Sequence, residues 1–230
     1  RTDQLISFLE ENAPEIRVLY PKEELLSGKD TAAAGISPEG ETWPIYYESD
    51  THWNRIGAGI GADTLLAALT EGSVGCMPPE KAVSFSEAYP EGQPMKKKGD
   101  MQNLCKLPEA FDSREFRVEG LPQGSLVSQV MSPGGEAVYE VFRAKEPGGI
   151  GKLYIAGDSF RWNLRDFIQG EAEESVICSR YYLDTEDIKA KKPDTFVYMI
   201  AERYLHELAG LPGVAAPALS YTEDFVRTDY

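Results

Sequence analysis

The last third of the chain alternates short buried strands with amphipathic helices, and this alternation constrains the fold more than any other feature. Apolar runs at 153–156, 175–178 and 195–200 predict strands, and helical spacing predicts helices at 160–168, 185–191 and 202–209. Strands that alternate with helices of this length are joined by right-handed crossovers and form a mostly parallel sheet with helices on its faces. We therefore expect an α/β fold.

The first 150 residues add elements around this unit. In chain order we predict a helix at 4–11, a strand at 16–19, a helical turn at 23–27, a loop at 28–42, an extended aromatic segment at 43–47 and a helix at 53–69. Pro and Gly then punctuate short segments, which predicts a β and irregular insertion at about 72–150 with a hairpin turn at 132–135. We expect a single domain over 1–230, in which the basic run at 96–98 is a solvated loop.

Composition narrows the classes of partner and cofactor. With 38 acidic against 23 basic residues the net charge is -15, and an acidic surface repels the phosphates of nucleic acids and anionic lipids. No apolar run approaches the roughly 20 residues that span a bilayer. Three widely spaced cysteines without CxxC or Cys/His spacing predict neither a disulfide framework nor a zinc site. We expect no cofactor and no metal, and we expect Cys105 and Cys178 to be buried, unreactive thiols.

Only two histidines are available as a general base, His52 and His206. His206 lies one helical turn beyond the last predicted strand, where a surface position is expected. His52 follows the extended aromatic segment and stands two residues after Asp50, so one loop can present both side chains and the carboxylate can orient the ring. The alternative is structural, with Asp50 or Asn54 capping the next helix beside a half-buried histidine.

A candidate nucleophile lies between a predicted strand and a predicted helix. The buried run at 153–156 ends in Gly157, Asp158 and Ser159, and a helix follows at once. Such a sharp turn exposes the serine hydroxyl, and the backbone N–H of Ser159 at the helix start can stabilise an oxyanion. In the competing interpretation, Asp158 or Ser159 only caps the helix.

Together these segments resemble a known family. Residues 50–53 (Asp-Thr-His-Trp) look like the DxHW block of the alginate O-acetyltransferase (AlgJ/AlgX-like) and DHHW-type SGNH hydrolase-like family, and residues 157–160 (Gly-Asp-Ser-Phe) match its nucleophile block. Supporting matches lie at 99–101 (Gly-Asp-Met), at 192–194 and at 202–205. The acid–histidine pair precedes the serine, as in that family, and the match runs from about residue 15 to 208.

The resemblance implies a three-layer α/β/α SGNH hydrolase-like fold, with Ser159 as nucleophile, His52 as base and Asp50 as the orienting acid. Weaker candidates for the oxyanion hole or for substrate binding are Gly157, Asn163, Arg161, Arg203 and Trp53. For Arg161 and Asn163 a helix-surface role is favoured, for Arg203 an ion pair with Glu202 or Asp194, and for Trp53 packing. The family's N-terminal strand with oxyanion residues is not evident before residue 15, so the oxyanion hole beyond the Ser159 N–H is open.

The implied activity is acetyl transfer to, or ester hydrolysis on, a cell-surface or exported bacterial polysaccharide. A carbohydrate substrate, a membrane protein that donates acyl groups and an extracytoplasmic location follow from the resemblance. The sequence begins at Arg1, and we expect an N-terminal signal or anchor to precede it. The alternative is a non-catalytic carbohydrate-binding or scaffolding protein with the same fold. A metal hydrolase that uses Asp50, His52, Asp100 and Asp158 is a distant third, because it would have one usable histidine.

Overall fold

The computed structural model describes residues 2–72, 83–88, 99–106, 113–146, 149–210 and 226–229. The strands within this part of the chain are β1 (Ser84–Glu87), β2 (Phe116–Glu119), β3 (Gly124–Met131), β4 (Ala137–Ala144), β5 (Ile150–Gly157), β6 (Ala172–Ser179), β7 (Thr195–Met199) and β8 (Val226–Asp229). The α-helices are α1 (Thr2–Asn12), α2 (Lys22–Ser27), α3 (Arg55–Leu69), α4 (Asp100–Cys105), α5 (Arg161–Ile168) and α6 (Thr185–Lys191). Arg180–Tyr182 and Glu202–Gly210 form 3₁₀ helices.

The central sheet is mixed, with the strand order β7-β5-β6-β4-β3-β8. β5 runs parallel to β6 and to β7, as the strand–helix alternation predicts. The β3–β4 hairpin then adds to β6 in the antiparallel sense, and β8 adds to β3 in the same way. The expectation of a mostly parallel sheet therefore does not hold, because β4, β3 and β8 all pair in the antiparallel sense. β1 and β2 form a separate antiparallel pair.

Helices cover both faces of this sheet. α3 and α5 pack together on one face, where Trp53, Leu66 and Phe167 join inward residues of β5 and β6 such as Ile155 and Ile177. On the other face Tyr154, Cys178 and their neighbours form a second cluster, to which α6 adds Ile188. The two clusters use alternate residues of the same strands, because successive side chains of a strand point to opposite faces.

Residues 72–150 contribute β1 to β4 and α4. The predicted hairpin turn at 132–135 is confirmed, since β3 and β4 pair across it and Gly135 takes a positive φ of 78° that favours glycine. β3 and β4 belong to the central sheet. The expected division of the chain into one domain with an insertion stays a prediction, and the basic run at 96–98 lies outside the described residues.

Four local predictions differ from the structure. Residues 16–19 lie in no strand, and Ile16 is 51% exposed, because no described strand pairs with them. The segment 43–47 makes a single antiparallel bridge, between Tyr46 and Trp53. The last predicted helix is a 3₁₀ helix, and Cys105 is exposed on α4 rather than buried.

Other expectations agree with the described residues. Cys178 is buried, and burial raises the pKa of its thiol to about 12, although hydrogen bonding to Tyr154 acts in the opposite direction. Such a thiol stays protonated and unreactive at neutral pH. Among the described residues, no helix is both long enough and apolar enough to cross a bilayer. Cys76 lies outside the described residues.

Candidate active site

The serine corner is built from the end of β5 and held by main-chain hydrogen bonds. Asp158, which is buried, accepts hydrogen bonds from the backbone N–H of Phe160 at 3.0 Å and of Ala201, just beyond β7, at 2.7 Å. This carboxylate ties the turn after β5 to the end of the neighbouring parallel strand. Ser159 therefore lies half-buried at the carboxyl edge of the sheet, where open α/β sheets bind ligands.

The histidine loop precedes α3 and has little regular structure of its own. Asn54, rather than Asp50, is the N-cap of α3, and its side chain accepts the backbone N–H of Ile56 and of Gly57. The indole N–H of Trp53 donates to the carbonyl oxygen of Phe160 at 2.9 Å. Trp53 thereby joins the histidine loop directly to the serine corner.

His52, Ser159 and Asp50 form one connected chain of hydrogen bonds. His52 Nε2 lies 2.5 Å from Ser159 Oγ, and His52 Nδ1 lies 2.5 Å from Asp50 Oδ1. With the proton on Nδ1, the imidazole donates to Asp50 and accepts from the serine hydroxyl, which is the arrangement a general base requires. The predicted contact between two segments 107 positions apart is present.

Asp50 is held in its charged form. Burial raises the pKa of its carboxyl, but hydrogen bonds from the His52 side chain and from the backbone N–H of His52 and Asp100 outweigh burial. The pKa of Asp50 therefore lies below its ordinary value. A charged carboxylate at this position fixes the ring and stabilises an imidazolium.

Comparison with solved structures supports the family resemblance in fold that the motifs imply. No family model matches the chain, and no curated protein matches it. Among solved structures, a DHHW family protein from Eubacterium siraeum DSM 15702 superposes with a TM-score of 0.50 at 15% identity, covering 68% of this chain and 58% of that protein. PatB1 of Bacillus cereus superposes with a TM-score of 0.51 at 10% identity, covering 70% and 63%, and a second PatB1 structure carries a sulfonyl adduct.

This chain resembles the DHHW family in fold. The resemblance inferred from the motifs is thus confirmed by structures at low identity, and the chain spans about three fifths of the length of each of them. The O-acetyltransferase domain of Pseudomonas putida AlgJ is also similar, with a TM-score of 0.40 at 17% identity over 79% of this chain and 59% of that domain.

A second carboxylate, that of Asp100, contacts the histidine loop. Asp100 accepts the backbone N–H of Thr51 at 2.7 Å and also the Thr51 hydroxyl. Its Oδ2 lies 3.8 Å from His52 Nδ1, and its backbone N–H donates to Asp50 Oδ2 at 3.2 Å. The sequence places Asp100 in a supporting motif, but nothing local indicates that it approaches the His52 ring.

Two aromatic rings lie close to the imidazole of His52. The ring of Phe160 lies 5.0 Å from that of His52, and the ring of Trp162 lies 6.3 Å away. These contacts restrict the orientation of the imidazole, whose side chain is 19% exposed. Phe160 is part of the nucleophile motif, whereas nothing in the sequence singles out Trp162.

Most of the weaker candidates for the oxyanion hole or substrate binding instead make hydrogen bonds or packing contacts within the fold. Arg161, expected on a helix surface, is buried and donates to the carbonyl oxygens of Asp158 and Ala137. Asn163 is half-buried and donates to the carbonyl of Trp53 at 2.9 Å. Gly157 is buried against Arg161 and Met199, and Trp53 itself is buried in the core.

Arg203 differs from these residues because it is exposed beside the site. Its guanidinium lies 5.3 Å from the centroid of Phe160 and 4.9 Å from that of Tyr204. Of the two expected ion-pair partners, Glu202 accepts hydrogen bonds from Thr2 and Tyr20, and Asp194 accepts the backbone N–H of Lys152. The geometry thus leaves Arg203 facing solvent on a ring that contacts His52.

Asp50, His52 and Asp100 also have the composition of a small metal site. Each offers one ligand atom, and these atoms lie within 4.8 Å of one another. Asp158, the fourth ligand in the metal hypothesis, instead accepts two backbone N–H groups. Because Asp50 and Ser159 engage the two nitrogens of His52, the arrangement favours proton transfer between side chains over metal binding.

Proposed function

We propose that this chain catalyses serine-dependent acyl transfer or ester hydrolysis, with an acyl-enzyme on Ser159. The observation that carries the proposal is the 2.5 Å contact between His52 Nε2 and Ser159 Oγ, continued by the contact of equal length between His52 Nδ1 and Asp50. A serine hydroxyl is a weak nucleophile unless an adjacent base removes its proton, and this geometry provides that base.

The reaction follows in two halves. Ser159 Oγ attacks the carbonyl carbon of the donor ester while His52 Nε2 takes the hydroxyl proton, and Asp50 stabilises the resulting imidazolium. The tetrahedral intermediate collapses, and His52 gives the proton to the departing alcohol. An acceptor hydroxyl or a water molecule then attacks the acyl-enzyme, His52 acts again as base, and Ser159 is released with its proton.

The backbone N–H of Ser159 is the first group available to stabilise the oxyanion. The backbone N–H of Ser159 has no acceptor among the described residues, and it stands two residues before the start of α5. A backbone N–H of this kind can donate to the carbonyl oxygen as negative charge develops on it. The buried guanidinium of Arg161 is occupied by two carbonyl oxygens and serves the scaffold instead.

The acyl group and acceptor belong to the same proposal. The DxHW-like and Gly-Asp-Ser motifs support an acetyl donor and a hydroxyl of a cell-surface or exported polysaccharide as acceptor, outside the cytoplasm, with acyl groups delivered by a membrane partner. The exposed guanidinium of Arg203 beside Phe160 supplies a cation that could bind an acidic group of such a polysaccharide.

Labelling with a sulfonyl fluoride or a fluorophosphonate tests the proposal directly. Wild-type protein should be modified at Ser159 and should hydrolyse a chromogenic acetyl ester. Ser159→Ala should lose both properties while its thermal unfolding is unchanged. Ser125→Ala, which changes an exposed serine on β3, is the matched control and should behave as wild type.

If the wild-type protein reacts with neither reagent nor ester, the proposal is wrong. The remaining candidate is then a carbohydrate-binding or scaffolding protein that keeps the fold.

A further inference from the structure

The loop that carries His52 is held by a second segment, which begins at Asp100. Its carboxylate accepts both the backbone N–H and the hydroxyl of Thr51, the residue between Asp50 and His52. Its own backbone N–H binds the Asp50 oxygen that does not bind the ring. Asp100 thus contacts the residues on both sides of the peptide bond that joins Asp50 to Thr51.

The docking of this segment is tightly fitted. Gly99 packs so closely on the backbone of Ser49 that a Cβ atom at this position would overlap the Ser49 carbonyl group. The Gln102 side chain accepts the Gly99 N–H at 3.2 Å, and Gln102 is buried. Ser113 holds Ser49 from another direction, because its hydroxyl accepts the Ser49 N–H at 3.1 Å.

The Asp100 carboxylate is also close enough to act on the ring by its charge. Its Oδ2 lies 3.8 Å from His52 Nδ1, and the side chain is about one third exposed. A negative charge at this distance attracts the positive charge that His52 carries once it has taken the serine proton, even after screening by water. Two guanidinium groups oppose it from further away, since Arg161 contacts the Trp162 ring and Arg203 the Phe160 ring, and both rings flank His52.

We propose that Asp100 is a positioning residue for His52, which holds the loop through Thr51 and adds a second carboxylate charge beside the imidazolium that forms during acyl transfer. This inference rests on the proposed function. It predicts that two carboxylates support His52 in catalysis. Asp50 binds the ring directly, and Asp100 holds the loop in place and adds its negative charge near the ring.

Asp100→Asn is the first test, because asparagine keeps the shape of the side chain and removes its charge. We expect kcat for an acetyl ester to fall by about 10- to 100-fold with KM within twofold, since hydrogen bonds to charged groups are the stronger ones.

Thr51→Val is the matched control, because it removes one hydrogen bond to Asp100 and leaves both carboxylates and the Thr51 N–H in place. We expect kcat to fall by about threefold, as for the loss of one hydrogen bond, again with KM within twofold. Thermal unfolding of each variant establishes that it is folded at the assay temperature.

The outcomes separate this inference from the function on which it rests. An inert, unlabelled wild-type protein overturns both. An active wild type with unchanged kcat in Asp100→Asn overturns only the role of Asp100, as does a loss that falls on KM rather than on kcat. If Asp100→Asn does not fold, Thr51→Val decides, and an unchanged kcat there counts against the inference.

Discussion

The two halves of the site are held in different ways. The serine corner is an extension of the sheet, since Ser159 follows β5 and Asp158 accepts main-chain N–H groups from its own turn and from the end of β7. The histidine loop makes one bridge, between Tyr46 and Trp53, and otherwise depends on side chains, chiefly Asp50, Asp100 and the Trp53 indole.

This difference separates the expected effects of substitution. Changes to Asp158, which supports the serine corner without being the nucleophile, should act mainly through stability, because they break the junction of two strands with a helix. Changes in the histidine loop should act mainly on turnover, because the loop can shift while the sheet stays intact. The following variants test that separation, from the largest expected effect to the smallest.

Among variants that keep the nucleophile, Asp50→Asn should have the largest effect on activity. Loss of the charged carboxylate removes the orientation of His52, and we expect kcat/KM to fall by about 10³- to 10⁴-fold while the fold is retained. Steady-state kinetics and circular dichroism measure the two properties. Equal turnover of Asp50→Asn and wild type would mean that Asp100 alone orients the ring.

The same variant has a pH signature. Because the pKa of Asp50 is lowered in the folded protein, its ionisation stabilises the fold at pH values above its unfolded pKa, roughly 4, and this contribution is lost as the pH falls through the folded pKa. The difference in unfolding free energy between wild type and Asp50→Asn should therefore shrink from pH 7 to pH 3. A difference that is constant with pH would contradict the assignment.

Asp158→Asn should lower stability more than any other change at the serine corner. One carboxylate oxygen becomes an NH₂ group that faces a backbone N–H, so a buried hydrogen bond is lost and a repulsive contact forms. We expect the unfolding free energy to fall by about 2–3 kcal/mol, measured by chemical denaturation. Glu186→Ala, which breaks an exposed ion pair with Lys189, is the control and should change it by no more than about 0.5 kcal/mol.

Gly99→Ala tests the docking of α4 on the histidine loop. The added methyl group meets the Ser49 backbone, so the segment must shift, and Asp100 shifts with it. We expect an overpacking cost of about 1–2 kcal/mol in unfolding free energy and a clear loss of kcat. Gly134→Ala, in the β3–β4 turn with only ordinary contact to Ser132, should leave kcat unchanged. Equal behaviour of the two variants would show that the docking is loose.

Arg203→Gln should have the smallest effect and should spare the chemistry. The guanidinium lies on the Phe160 ring, so its loss should raise KM for a carboxylated acceptor sugar by about fivefold with kcat unchanged. A neutral acetyl ester hydrolysed in water is the control, for which neither constant should change. A fall in kcat for both substrates would mean that Arg203 positions Phe160 and His52 instead.

The sequence predicted the elements whose signals are local. The bounds of α6 agree with the helix predicted at 185–191, and β5, α5, β6 and β7 lie where buried runs and helical spacing place them. The mixed sheet was not predictable in the same way, because the pairing of β4 with β6 depends on a contact between distant segments. The strand expected at 16–19 failed for a related reason, since an apolar run becomes a strand only if another strand pairs with it.

In the site, too, the sequence predicted residues in local motifs and missed contacts between distant segments. Asp50, His52 and Ser159 were predicted because each belongs to a short motif at a strand or loop end, and the structure brings them together. The contact of Asp100 with Thr51 joins segments 49 positions apart, and no periodicity signals it. The burial of Arg161 was also missed, because its two carbonyl acceptors include Ala137 on β4, which the helix pattern does not reveal.

The link between Trp53 and Phe160 has a consequence for folding. Like the contact of His52 with Ser159, it joins residues 107 positions apart, so a long stretch of chain must be organised before either bond can form. Contacts so distant in sequence carry a large closure entropy and tend to slow folding. If the proposed function holds, recovery of activity on an acetyl ester during refolding marks completion of the native topology, and it should not precede the return of secondary structure.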